Sequence, residues 1–253
     1  TSMPGDENNP SLSPDGKQMA YVQGHFTGGN IEVIQIAATE GLPLRLTHSG
    51  RDTGPAWAPD GSSIFFLRLD EKPDGPWYIC SVPALGGPER EWVSVRRGGF
   101  GQNTPYFTLN PDGKSLVFAG CPESEEWSGL SLLSLETREV RPLTEPKGPA
   151  VDTAPCFSPD GRTLAFRRTE GYPAGDIYTL PLNEKMEPAG EPQRLLSIPV
   201  YFAGLAWDPE GTGLVYSAGV VDGWQLWRVR LDDPERPELM EFAGTNVRFP
   251  SVS

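Results

Sequence analysis

Cysteine and histidine are scarce in this chain of 253 residues, with three of the first and two of the second. Cys80, Cys121 and Cys156 are odd in number and far apart, which excludes a disulfide framework and the paired spacing of a zinc site. His25 and His48 stand in polar stretches that read as loops, and no His-Glu-x-x-His or Cys-x-x-Cys occurs. No metal site and no cofactor is therefore implied. A Gly-x-Ser-x-Gly elbow is missing too, and a nucleophile needs a positioned base beside it, so the chain is not read as an enzyme. Positive charge is in deficit, with 21 Lys and Arg against 34 Asp and Glu for a net −13. Such a surface repels phosphate backbones and disfavours direct nucleic-acid contact. No apolar run is long enough to cross a membrane, and Thr1 to Pro10 has no charged-then-apolar leader. The chain does not open on methionine and reads as an excised or processed piece.

What is abundant is glycine and proline, 29 and 27 residues, about a fifth of the chain. That frequency of breakers excludes long helices, coiled coils and helical bundles. Hydrophobic residues reach only 37%, yet a tenth of the chain is Phe, Trp or Tyr, and a few large rings can bury much apolar area. Many turns with scattered rings point to an all-β protein of short strands.

A repeat organises those strands. Ser13-Pro14-Asp15-Gly16, Ala58-Pro59-Asp60-Gly61, Asn110-Pro111-Asp112-Gly113 and Ser158-Pro159-Asp160-Gly161 share one grammar, and Asp208-Pro209-Glu210-Gly211 is a degenerate fifth copy. The acidic positions are 45, 52, 48 and 50 residues apart, the length of one four-stranded propeller blade. Pro presets the second turn position, Asp bonds nearby backbone and Gly supplies the positive φ, so each copy closes a hairpin. Asp15, Asp60, Asp112 and Asp160 are accordingly read as turn residues, not metal ligands. Leu12, Trp57, Leu109, Phe157 and Trp207 end the strand before each turn, with Trp57 and Trp207 expected to pack between blades.

Third strands are expected around 31–36, 77–82, 130–135, 177–182 and 225–231. Fourth strands are expected around 44–47, 91–95, 140–144, 193–196 and 238–242. The fold expected is a β-propeller of five complete blades, approximately 9–48, 54–97, 104–145, 154–198 and 203–243, in a single domain. Pro105 lies two positions further from its turn than Pro10, Pro55 and Pro155 do, which predicts a bulge or longer leading loop in the third copy. Phe249-Pro250-Ser251-Val252-Ser253 matches Asn9-Pro10-Ser11-Leu12-Ser13, so 247–253 reads as the inner strand of a further blade and the parent as having six or more.

At these residues the sequence resembles the PD40 (WD40-like) repeats of TolB-type propellers. Copy four carries the pattern most fully: Pro155-Cys156-Phe157-Ser158-Pro159-Asp160-Gly161, Leu164-Ala165-Phe166 and Asp176-Ile177-Tyr178. Leu46-Thr47 and Leu143-Thr144 match the close of the unit. The resemblance implies a binding module of a bacterial envelope or signalling protein. The periplasm is the favoured compartment and the cytoplasm the alternative. It also implies a protein or peptide partner, and a parent chain that could add a winged-helix, kinase or hydrolase portion. The alternative it leaves open is a propeller that gates a prolyl-oligopeptidase-like hydrolase.

If the first strand is innermost, the loops leading into it open near the axis, where loops on a rigid scaffold gather binding residues. The expected ligand or partner contacts at this channel mouth are Asp52, Asn103, Asp152, Tyr201, Phe202 and Arg248. A cation drawn to Asp52 and Asp152 is the lesser alternative there, and the reading adopted is no metal. His25, Phe26, Asp70, Glu71, Trp127, Tyr172 and Trp224 are placed in loops between second and third strands on the same face.

Overall fold

The computed structural model describes residues 6–25, 28–37, 41–72, 75–95, 107–120, 129–171, 173–220 and 223–241. Every regular element among them is a β-strand, as the breaker-rich composition requires. The first blade holds β1 (Asp6–Leu12), β2 (Gln18–His25), β3 (Gly28–Gln35) and β4 (Leu44–Arg45). The second holds β5 (Asp52–Trp57), β6 (Ser63–Leu69), β7 (Trp77–Pro83) and β8 (Arg90–Val95). The third holds β9 (Phe107–Leu109), β10 (Ser115–Ala119), β11 (Leu130–Ser134) and β12 (Val140–Pro142). The fourth holds β13 (Val151–Phe157), β14 (Thr163–Thr169), β15 (Gly175–Pro181) and β16 (Gln193–Ile198). The fifth holds β17 (Tyr201–Trp207), β18 (Gly213–Val220), β19 (Gly223–Arg230) and β20 (Asp233–Leu239). All are antiparallel meanders in chain order.

The five Pro-Asp/Glu-Gly turns are near copies of one another. Gly16, Gly61, Gly113, Gly161 and Gly211 all sit at φ between 68 and 71°, in the left-handed region where a Cβ is costly. Each donates its N–H back to the residue three before it, as Gly16 does to Ser13 at 2.8 Å. Sequence periodicity here is thus a repeat of one backbone conformation, which is why it sets the blade spacing.

Two compact units divide the chain, one up to Arg97 and the other from Gly98 on. In the first, β5 lies against β1 and β2, and Gly29 pairs with Asp52, so the first two sheets join edge to edge. Val22, Ile31, Ile64 and Phe66 fill the space between them. In the second unit, β13 lies against β9 and β10 on one side and β17 on the other. Val117, Leu130, Phe157 and Phe166 fill the first interface, while Ala165, Leu205, Trp207 and Leu214 fill the second. In both units the first strands meet, so they are the inner ones. Trp57 and Trp207 each use the same device: the ring is buried and its Nε1 donates to a carbonyl of the previous blade. The acceptors are Ser11 at 3.1 Å and Cys156 at 3.0 Å.

Inner strands are commonly bulged, with register shifts in β1, β5, β13 and β17. The extra residue takes positive φ at Asn9, Gly54 and Ala154, just before Pro10, Pro55 and Pro155. Pro105 itself lies outside the described residues. The fifth blade's outer strand begins at Asp233, five residues before the expected start at 238. Its DPERPEL sequence carries no apolar alternation, because an edge strand faces solvent and tolerates proline there. His25 closes β2, and Trp224 lies in β19 rather than in a loop. The expected strand at 247–253 lies outside the described residues.

Candidate functional site

Of the residues expected at the channel mouth, Asn103 and Arg248 lie outside the described residues, as do Phe26, Trp127 and Tyr172. Asp52, Asp152, Tyr201 and Phe202 all stand at the starts of inner strands, and the two units are taken in turn.

In the first unit, Asp52 begins β5 directly opposite Arg68 of β6. Its carboxylate is wholly buried, and Arg68 grips both oxygens, Nε to Oδ1 at 2.7 Å and Nη2 to Oδ2 at 3.0 Å. The guanidinium also reaches Glu89 and lies 5.3 Å from the Phe66 ring centroid. The Asp52 hydrogen bond, with a smaller contribution from Glu89, drives the Arg68 pKa above its already high usual value against the opposing effect of burial. In the second unit the arrangement recurs at the same spacing. Arg168, sixteen residues after Asp152, places Nε and Nη2 at 2.6 and 2.8 Å from the two carboxylate oxygens. Here the carboxylate accepts one bond more, from Thr144 Oγ1 at 2.6 Å.

The alternative of a cation at Asp52 and Asp152 is corrected by this geometry. The positive charge is supplied by the chain itself, and two-point arginine pairing leaves a buried carboxylate compensated. These aspartates fasten β5 to β6 and β13 to β14. Thr144 adds a tie between blades. Its hydroxyl accepts from the Leu130 N–H at 2.9 Å while donating to Asp152. Thr47 accepts from the Ile31 N–H in the same way at 2.9 Å, so the Leu-Thr that closes the first and third copies bonds the third strand of its sheet.

Phe202 is also corrected: its ring is 3% exposed and packs in the core between blades four and five. Arg167 lies 5.5 Å from its centroid and donates to the carbonyls of Pro173 and Ala174. Tyr201, one residue earlier, is half-buried and meets Trp224 edge-to-face at a centroid distance of 6.5 Å. Successive strand residues point to opposite faces, which is why neighbours in sequence have opposite fates.

At the other end of the inner strands the turn aspartates bond locally. Asp15 accepts from the Ser13 hydroxyl at 2.7 Å and the Lys17 N–H, and Asp160 from the Ser158 hydroxyl at 2.6 Å and the Arg162 N–H. Asp60 and Asp112 accept from the N–H groups of Ser62 and Lys114. The Ser hydroxyls hold Asp15 and Asp160 below the usual carboxylate range, and the Ser62 N–H does so for Asp60. In the fifth copy Glu210 takes the third place and a further acid stands first, where Asp208 accepts from Thr212 and Arg228.

Burial pushes the thiols of Cys80 and Cys156 up to about 12, which leaves them protonated and poorly nucleophilic at neutral pH. Among the described residues no three His, Cys, Asp or Glu side chains come together as a metal-ligating group. No described helix is long and apolar enough to cross a membrane.

No family model matches the chain. It is 28% identical over 198 residues to the uncharacterized peptidase YuxL of Bacillus subtilis, a match covering 62% of this chain and 28% of that protein. It is 30% identical over 184 residues to the Tol-Pal system protein TolB of Francisella tularensis, covering 71% of this chain and 40% of that one. The matches thus span less than half the length of either relative. Among solved structures, a putative TolB from Agrobacterium tumefaciens superposes with a TM-score of 0.72 at 18% identity, covering 94% of this chain and 81% of that one. In fold the chain is a TolB-like β-propeller.

Proposed function

We propose that this chain is a non-catalytic propeller that docks a protein or peptide segment through loops at its inner-strand starts, within a bacterial envelope or signalling protein. The observation that carries the reading is the aromatic pair at the start of the fifth blade. Tyr201 keeps part of its ring in solvent, and Trp224 braces it on a rigid sheet. Half-buried tyrosines held in place are effective anchors because little side-chain entropy is lost on contact. The buried acids that a hydrolytic reading would recruit, Asp52 and Asp152, are already committed to arginines. The likeness to TolB supports a docking role and a periplasmic setting.

Copurification from a periplasmic extract, with peptidase activity followed in the same preparation, tests this. Tyr201→Ala is expected to weaken capture of the partner about tenfold, a loss of about 1.4 kcal/mol, with an unchanged thermal melt. Undiminished capture by that variant, or turnover of aminoacyl-p-nitroanilides by the chain alone, would refute it.

The second reading is an accessory propeller beside a peptidase domain, and the match to YuxL favours it. A nucleophile elbow encoded in frame on either side of this chain would decide for it.

A further inference from the structure

Between the third and fourth blades, within the second unit, a groove of about 600 Å³ opens to solvent. That volume falls in the range of roughly 300–1,000 Å³ common to ligand pockets. Tyr178 of β15 lines it together with Pro142, Pro188 and Pro192, while Leu143 and Leu180 lie buried beneath. Glu145, Glu170 and Glu191 stand around it, with Lys147 as the opposing charge.

The Tyr178 ring is held in place: it stacks on Phe166 at 5.8 Å, and the Arg168 guanidinium lies 4.8 Å from its centroid. Arg168 also lines the groove, but Asp152 occupies its guanidinium through two bonds. An anionic ligand would therefore meet three glutamates and find Lys147 alone to receive it. None of the three glutamates forms an ion pair among the described residues. A cation enters with the field of the lining and of the chain's net charge of −13. The Tyr178 ring and the flanking prolines select further, because they suit a long alkyl stem whose charged end stays near water.

We propose that this groove binds an extended peptide segment that presents a lysine or arginine side chain. The stem lies along Tyr178 and Pro192, and the charge sits among Glu145, Glu170 and Glu191. The inference rests on the polypeptide-docking reading above but assigns a second place for it, away from Tyr201.

Four fluorescent octapeptide pools, randomised except for a fixed central pair of Lys, Arg, Glu or Leu, test the proposal by anisotropy with the intact chain. The Lys and Arg pools are expected to bind at least about tenfold more tightly than the Glu pool, with the preference shrinking between about 0.05 and 0.5 M salt. The combined Glu145→Gln, Glu170→Gln and Glu191→Gln variant is expected to lose that preference with an unchanged melt, since all three side chains are exposed. Tyr178→Phe, which keeps the ring, should retain it. Equal binding of all pools, or a preference untouched by the triple variant, overturns the proposal while leaving polypeptide docking intact. Binding lost through Tyr201→Ala but not through the glutamine variant moves the ligand to the strand starts and also overturns it. Binding of no pool overturns the groove assignment and removes support for docking as well.

Discussion

Blades two and four carry the same aspartate–arginine pair at the start of the inner strand, yet the pair is wired differently in each. In blade two the arginine is shared: Arg68 bonds Asp52 and reaches on to Glu89, so the network stays within one sheet. In blade four the aspartate is shared: Asp152 accepts from Arg168 and from Thr144 of the preceding blade. The remaining ends of these strands differ as well. Blade two has Trp57 where blade four has Phe157, and Ala58 where blade four has Ser158. One repeat thus supports two solutions: in blade two an indole donates to the previous blade, and in blade four a phenyl ring fills that place while the bond to the previous blade comes from Thr144 to Asp152.

Substitutions that convert one blade into the other probe that division. The largest effect is expected from Trp57→Ala, about 3–5 kcal/mol, because it empties an interface and strands the Ser11 carbonyl. Trp207→Ala should match it in blade five. Trp57→Phe, which installs blade four's solution, should cost only about 1 kcal/mol, for the lost hydrogen bond and modest repacking. Urea denaturation of the three variants measures this, and equal losses for Trp57→Ala and Trp57→Phe would show that the ring volume is immaterial.

Next in size is Asp152→Ala, expected to cost about 3 kcal/mol because it strips Arg168 of its partner and leaves Thr144 without an acceptor. Asp52→Ala should cost less, about 2 kcal/mol, since Glu89 still faces Arg68. Equal losses in denaturant melts would erase the distinction drawn between the two networks.

Smaller again is Asp160→Ala, at about 1 kcal/mol or less for an exposed turn bond. The Ser158 hydroxyl, then the Arg162 N–H, keep the Asp160 carboxyl below its unfolded value. The unfolded chain therefore binds the proton more readily. The contribution is complete above the unfolded carboxylate pKa of about 3.9 and is lost as pH falls through the lower folded value. Melts of Asp160→Asn should fall less steeply with acidification below about pH 4 than those of the parent. Least of all, Ala58→Ser should stabilise blade two by about 0.5 kcal/mol by giving Asp60 the hydroxyl that Asp160 has. An unchanged melting temperature would show that the serine at that position is neutral.

The blades were legible in the sequence because each turn needs the same unusual backbone, and only Pro, Asp and Gly in that order provide it cheaply. The inner-strand starts were not legible. Asp52 and Asp152 look like open acids in isolation, and their partners become visible only through a second repeat, an arginine sixteen residues later in both cases. Antiparallel pairing sets that interval by placing the end of the second strand opposite the beginning of the first. Phe202 misled for a different reason. It is the inward-facing neighbour of Tyr201 in one strand, and nothing in the local composition tells which of the two rings turns to the core. The groove beside Tyr178 was not legible because its lining comes from four separate stretches, none of which forms a motif.

The hydroxyl of Thr144 has a consequence for how such a chain can be cut and rejoined. It serves Leu130 in its own sheet and Asp152 in the next, so a cassette cut at the sheet border keeps the Leu130 bond and opens the one to Asp152. A graft of blade four that keeps its aspartate satisfied must carry that threonine along and so start inside the preceding blade. The unit that can be transplanted whole is thus offset from the unit that the eye sees.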